Sequence, residues 1–212
     1  MPRKALVGLM VVGMAGLLGA DAPAGKPPRV LLIGDSISIY YAPFVKELLA
    51  GKAEVVHSGH AEGTRFGLKN LPRMLAQSGG KWDIIHFNWG LHDVKDHKVV
   101  PIEEYEKNLR DLVKQLKATG AKLVWATTTP VGAHRGGNAG DRQDKDVVAY
   151  NEVALKIMQE NSIPIDDLYA AAKPTLADIQ KPDEVHFTDD GSKLLAKSVA
   201  ESILAAVTAG GK

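Results

Sequence analysis

Two stretches about 150 residues apart hold side chains that could share one reaction. They are Gly34-Asp35-Ser36-Ile37-Ser38 near the N-terminus and Asp183-Glu184-Val185-His186 near the C-terminus. A serine hydroxyl is a weak nucleophile until a base takes its proton. An imidazole makes a good base when an acid holds its other nitrogen. Ser36 supplies the hydroxyl and His186 the imidazole. Asp183, three residues before that histidine in a loop, can fold back so that its carboxylate meets Nδ1–H. That fixes the tautomer and leaves Nε2 free to accept the Ser36 proton. Such a set supports acyl transfer through a covalent serine intermediate. Ser36 alone would read equally well as a helix cap; its pairing with a histidine and an acid favours the chemistry. Other readings of the same turn lack their residues: there is no Gly-x-Gly-x-x-Gly and no P-loop, and the Gly-x-Ser-x-Gly elbow fails because its fifth residue would be Ser38.

Acyl transfer also places negative charge on a carbonyl oxygen, which needs N–H donors. The Ser36 backbone is one source. Gly63 is a second, having no side chain in the way, with Gly59 as the alternative in the same loop. The third donor should come from the loop after the third strand, which offers Asn88, His92 and Asp93, with His92 and Asn88 the candidates. His92, Asp93, Asp96 and His97 match no strong metal-ligand spacing, so they read as a polar rim, and no metal or cofactor is expected. His57 and His60 read as rim residues too. His134-Arg135, in a Gly-rich loop, could bind substrate hydroxyls or an acidic group.

The elements that must position these residues follow from the hydrophobic pattern. Arg-Val-Leu-Leu-Ile at 29–33 reads as a buried strand leading into Ser36, with a helix expected over 40–49. Further strands are expected over 53–57, 82–87, 121–126 and 163–166, the last at an edge because of Pro164. Helices are expected over 66–77, where Pro72 should limit the regular part, and over 102–119 and 146–161. A final helix should follow Thr188 as its cap. This alternation means a mainly parallel sheet with helices on both faces, in one domain over 29–208. The carboxyl ends of such strands are where ligands bind.

Composition bounds the remainder. The chain has 212 residues, 45% hydrophobic, and a formal net charge of +1, so no bulk field draws it to nucleic acid or to an anionic membrane. It has no cysteine, which excludes thiol nucleophiles and Cys-based zinc sites. Arg3 and Lys4 precede an apolar run over 5–18, and Ala20-Asp21-Ala22 offers small residues for cleavage. Residues 1–22 therefore read as a signal peptide and 23–28 as a tether, which implies a secreted or periplasmic protein with no stable membrane insertion after cleavage. An uncleaved anchor is the competing reading.

Taken together, Gly-Asp-Ser after the first strand, a loop glycine after the second, Gly90-Leu91-His92-Asp93 after the third and Asp183-x-x-His186 before the last helix resemble the SGNH/GDSL hydrolases. The resemblance covers the whole chain after residue 28. It implies a flavodoxin-like αβα sandwich with a mainly parallel five-stranded sheet. It also implies serine-esterase activity on acetylated sugars, lipids, thioesters or small esters, without a cofactor. Ser36 resembles the family nucleophile, Gly63 the second oxyanion donor, and Asp183 with His186 the remainder of the triad. The family has asparagine where this chain has His92, whose neutral ring can still donate one N–H. The expected partner is a small-molecule or carbohydrate ester. The alternatives are an O-acyltransferase with the same triad and a catalytically inactive carbohydrate-binding protein.

Overall fold

The structure, a computed structural model, describes residues 25–95, 99–133, 140–182 and 184–209. The expected signal peptide, Asp96, His97, His134, Arg135 and Asp183 lie outside the described residues. Five parallel strands form the sheet in the order β2-β1-β3-β4-β5: β1 Arg29–Gly34, β2 Glu54–His60, β3 Ile84–Phe87, β4 Lys122–Ala126 and β5 Ile165–Asp166. The expected α/β sandwich is the observed fold. The side chains of β1 from Val30 to Ile33 are buried, as a strand covered by helices on both faces requires.

Among the described residues there are seven α-helices, in chain order α1 Ser36–Leu48, α2 Thr64–Leu75, α3 Ile102–Lys117, α4 Asp144–Glu160, α5 Leu168–Ala172, α6 Leu176–Ile179 and α7 Asp189–Thr208. The chain steps one way from β1 to β2 and the other way thereafter. Right-handed crossovers therefore send α1 to one face and α2, α3 and α4 to the other. Helix α7 returns to pack along α1. The direction reverses beside β1, so a crevice opens between the loops after β1 and β3. Among the described residues, no helix is long and apolar enough to cross a membrane.

Three elements near the site have boundaries that differ from expectation. Helix α1 begins at Ser36 rather than near residue 40, because the Asp35 carboxylate accepts from the Ile37 N–H (2.9 Å) and caps it. Ser36 is thus the first helical residue. Helix α2 starts at Thr64 and runs through Pro72, which falls in its last turn and forfeits one intrahelical bond instead of breaking the helix. Strand β2 extends to His60, with a register shift against β1 between Leu32 and Gly34, and so pairs His60 with Gly34 at the sheet's carboxyl edge. Behind the sheet, buried Asp166 accepts from His86 Nε2 (2.9 Å) and from Ser198 Oγ (2.6 Å), tying β3 and β5 to α7.

Candidate active site

Ser36 Oγ lies 2.8 Å from His186 Nε2. The serine's side of this contact is set by the start of α1. The histidine's side is set by a small stapled loop. Gln180 and Phe187 form an antiparallel bridge, the Lys181 N–H donates to the His186 carbonyl (2.9 Å), and the Thr188 N–H donates to the Ile179 carbonyl (2.8 Å). Thr188 Oγ1 then accepts from the Gly191 N–H and caps α7. Gln180 braces the loop from outside: its Oε1 accepts from the Gly132 N–H (2.8 Å) and its amide donates to the Pro130 carbonyl (3.1 Å). On the other edge of the imidazole, Glu184 Oε2 is 3.1 Å from Nδ1.

A second serine–histidine contact lies beneath the first. Ser38 Oγ is 2.7 Å from His57 Nε2 and donates to the Asp35 carbonyl (2.6 Å), while His57 Nδ1 accepts from the Gly59 N–H (3.0 Å). These partners assign the proton of neutral His57 to Nε2. The chain thus links the end of β2 to the turn that carries Ser36. It also explains Gly34, since a Cβ there would sit 2.7 Å from Ser38 Oγ. The Gly59 N–H is engaged by His57 Nδ1.

Burial, with help from the Lys46 and His60 charges, pulls the His57 pKa from 6.5 to about 4. The unfolded chain therefore binds the extra proton between those values, and stability from this group is complete above pH 6.5 and lost as pH falls through 4. We expect about 3 kcal/mol of stability to disappear over that window through His57. Denaturant unfolding of His57→Gln at both ends of the window should show that much less pH dependence than wild type. An unchanged slope would contradict the assignment.

The loop holding Gly63 is anchored by Asp93. This buried carboxylate accepts from the Thr64 N–H (2.9 Å) and from Thr64 Oγ1 (2.5 Å), and Asn108 donates to the same hydroxyl oxygen (3.3 Å). Burial raises the Asp93 pKa to about 6, and the Thr64 bonds oppose the rise. A Cβ on Gly63 would stand 3.0 Å from this carboxylate. The residue before it, Glu62, adopts a left-handed backbone (φ 46°), a strain of the kind that collects at working loops.

The two candidates for the third donor part company. Both N–H bonds of the Asn88 amide are engaged, with the Ala126 carbonyl (2.8 Å) and Thr128 Oγ1 (3.2 Å). The His92 ring instead meets the His60 ring edge-to-face, with centroids 5.0 Å apart, beside Gly34 at the sheet edge. The loop bearing His92 is held by buried Arg142, whose Nε donates to the Leu91 carbonyl (2.8 Å). Reading by motif passes over Ser38, Arg142 and Glu184, and it takes for a rim residue His57, whose two ring nitrogens are bound to Ser38 and Gly59. Only Glu184 left a signal, as a second acid beside Asp183. Among the described residues, no group of three or more His, Asp or Glu could hold a metal ion.

A sequence profile of the GDSL-like lipase/acylhydrolase family matches residues 32–194. The chain belongs to this family of esterases. The matched span begins inside β1 and ends inside α7, so it takes in every residue of the GDSL site just described. A mouse isoamyl acetate-hydrolyzing esterase 1 homolog is 29% identical over 121 residues, which make up 49% of this chain and 49% of the mouse protein. The chain thus spans about half the length of the curated relatives it matches. Among solved structures, the acetyl xylan esterase AlAXEase superposes with a TM-score of 0.70 at 18% identity, covering 82% of this chain and 99% of its own. A lipase/acylhydrolase from Enterococcus faecalis superposes with a TM-score of 0.71 at 21% identity, covering 84% and 96%. At these identities the likeness is one of fold.

Proposed function

We propose that this GDSL-family chain is an exported serine esterase that removes a small acyl group, acetyl, from a carbohydrate hydroxyl. The observation that carries the reading is the 2.8 Å approach of Ser36 Oγ to His186 Nε2 at the N-terminus of α1. Ser36 Oγ attacks the ester carbonyl as His186 Nε2 takes its proton. The Ser36 and Gly63 N–H groups and the His92 ring receive the oxyanion. His186 then gives the proton to the departing alcohol, leaving Ser36 acylated. A water attacks the acyl-enzyme, again through His186, and releases the carboxylic acid. Asp183 is assigned as the acid that orients His186, with Glu184 as the second reading because of its contact with Nδ1. Acetyl as the acyl group draws support from the names of the mouse relative and of AlAXEase. Purified protein should release acetate from acetylated xylan and take up a fluorophosphonate probe at Ser36. Failure of both would overturn the reading.

His92 in the role of third donor makes a separate demand. Losing one such donor costs about 10²- to 10³-fold in kcat. His92→Ala should fall by that much with KM little changed, whereas His92→Asn should recover part of the loss. An unchanged kcat in His92→Ala would remove His92 from the oxyanion hole.

A further inference from the structure

Tyr40 stands four residues after Ser36 on α1 and is 48% exposed. Its ring meets the His186 imidazole at a steep angle, with centroids 5.3 Å apart. The ammonium of Lys181 stands 5.3 Å from the centre of the same ring, and the Lys181 N–H holds the His186 carbonyl. Tyr40, His186 and Lys181 therefore form a closed triangle at the mouth of the site. The stripe continues outward along α1. Phe44 lies one turn on with Lys193 Nζ 5.7 Å from its ring centre, and Leu48 one turn further is 47% exposed. The core is served by the neighbouring stripe of Ile37, Tyr41, Val45 and Leu49, which are buried. Packing of the fold does not account for an aromatic ring left half in water beside a catalytic histidine.

The reaction says which half of a substrate meets this triangle. The proton that Nε2 takes from Ser36 goes next to the oxygen of the leaving alcohol, so that oxygen must come within hydrogen-bond reach of Nε2. The acyl oxygen is held by loops after β2 and β3, whereas Tyr40 and Lys181 adjoin the imidazole that serves the alcohol. We propose that Tyr40 and Lys181 form the leaving-alcohol subsite and that the alcohol it selects is a sugar ring. This inference rests on the esterase reading above. The C–H face of a pyranose stacks on the tyrosine ring, and its oxygens accept from the ammonium. A plain alkyl chain would cover the ring equally well but would desolvate Lys181 without giving it an acceptor.

The test keeps the acetyl group fixed and varies the alcohol: acetylated xylobiose, methyl acetate and octyl acetate. Tyr40→Leu should lower kcat/KM on acetylated xylobiose about tenfold, mainly through KM, and leave methyl acetate within about twofold of wild type. Tyr40→Phe, which keeps the ring, should retain most of the activity on the sugar. Lys181→Met should lower the sugar ester several-fold and spare methyl acetate. An equal loss on methyl acetate would mean that Tyr40 only positions His186, and would overturn the subsite. A larger loss on octyl acetate would overturn it in favour of a lipid alcohol. A wild-type enzyme inert towards all three esters and towards a fluorophosphonate probe would instead bring down the esterase reading itself, and the subsite with it.

Discussion

Replacing Ser36 with alanine is expected to lower kcat by at least about 10⁴-fold and to abolish fluorophosphonate labelling. The size follows from what disappears: the oxygen that would form the covalent bond. Ser38 is the nearest candidate in sequence, but its hydroxyl is buried and committed to the Asp35 carbonyl and to His57. His186→Ala should cost a similar factor, because without Nε2 the Ser36 proton has no acceptor. The double variant should be scarcely worse than either single one, since the two groups act as a unit and their effects do not add. Folding should survive the serine change. Asp35, not Ser36, caps α1, and alanine is a good residue in a first helical turn. A Ser36→Ala protein with native circular dichroism and wild-type acetate release would place the nucleophile elsewhere.

The fold was legible because its signals are redundant. The apolar run of β1, the helical spacing of Tyr105, Leu109, Leu112 and Leu116 in α3, and the alternation of strands and helices all point to the same parallel sheet. The approach of Ser36 to His186 was legible for a different reason. In a parallel sheet, the turn after β1 and the loop before the last helix both open at the carboxyl edge, so short motifs far apart in sequence share one rim. What remained hidden depends on the third dimension. The sequence places the start of helix α1 near residue 40, and only the cap made by Asp35 shows that it starts at Ser36. Ser38 and His57 carry no pattern, since each bonds to an element that sequence distance does not reveal. Arg142 sits in a polar loop that reads as solvent-facing, yet its guanidinium is buried against the Leu91 carbonyl. The sequence favours His92, at the family's asparagine position, over Asn88, which two residues before Gly90 reads as part of the strand; the Asn88 amide is bound to the Ala126 carbonyl and to Thr128 Oγ1.

The acid that orients His186 makes the second large prediction. Without it the imidazole loses its tautomer and its angle, and the imidazolium that forms during attack loses its counter-charge. In a serine–histidine–aspartate site, converting that acid to its amide costs about 10⁴-fold in kcat. Two adjacent residues could fill the role. Glu184 Oε2 is 3.1 Å from Nδ1, but its side chain is 32% exposed against 16% for His186, so water competes for the carboxylate and screens it. Its longer stem also leaves more rotamer freedom to be lost in holding one geometry. Asp183 has the shorter side chain and the three-residue spacing to His186. Asp183→Asn is therefore expected to lose about 10³- to 10⁴-fold in kcat with KM nearly unchanged, and Glu184→Gln less than about tenfold. Steady-state kinetics of the two variants, each checked for folding by thermal melts, decides between them. The reverse pattern, a crippled Glu184→Gln beside a near-normal Asp183→Asn, would give the role to Glu184 and would make the contact at Nδ1 the working arrangement. Loss in neither variant would mean that an orienting acid contributes little here. His186 would then be held by the stapled loop of Lys181 and Gln180 alone, and restraining that loop, not the charge beside the ring, would control the rate.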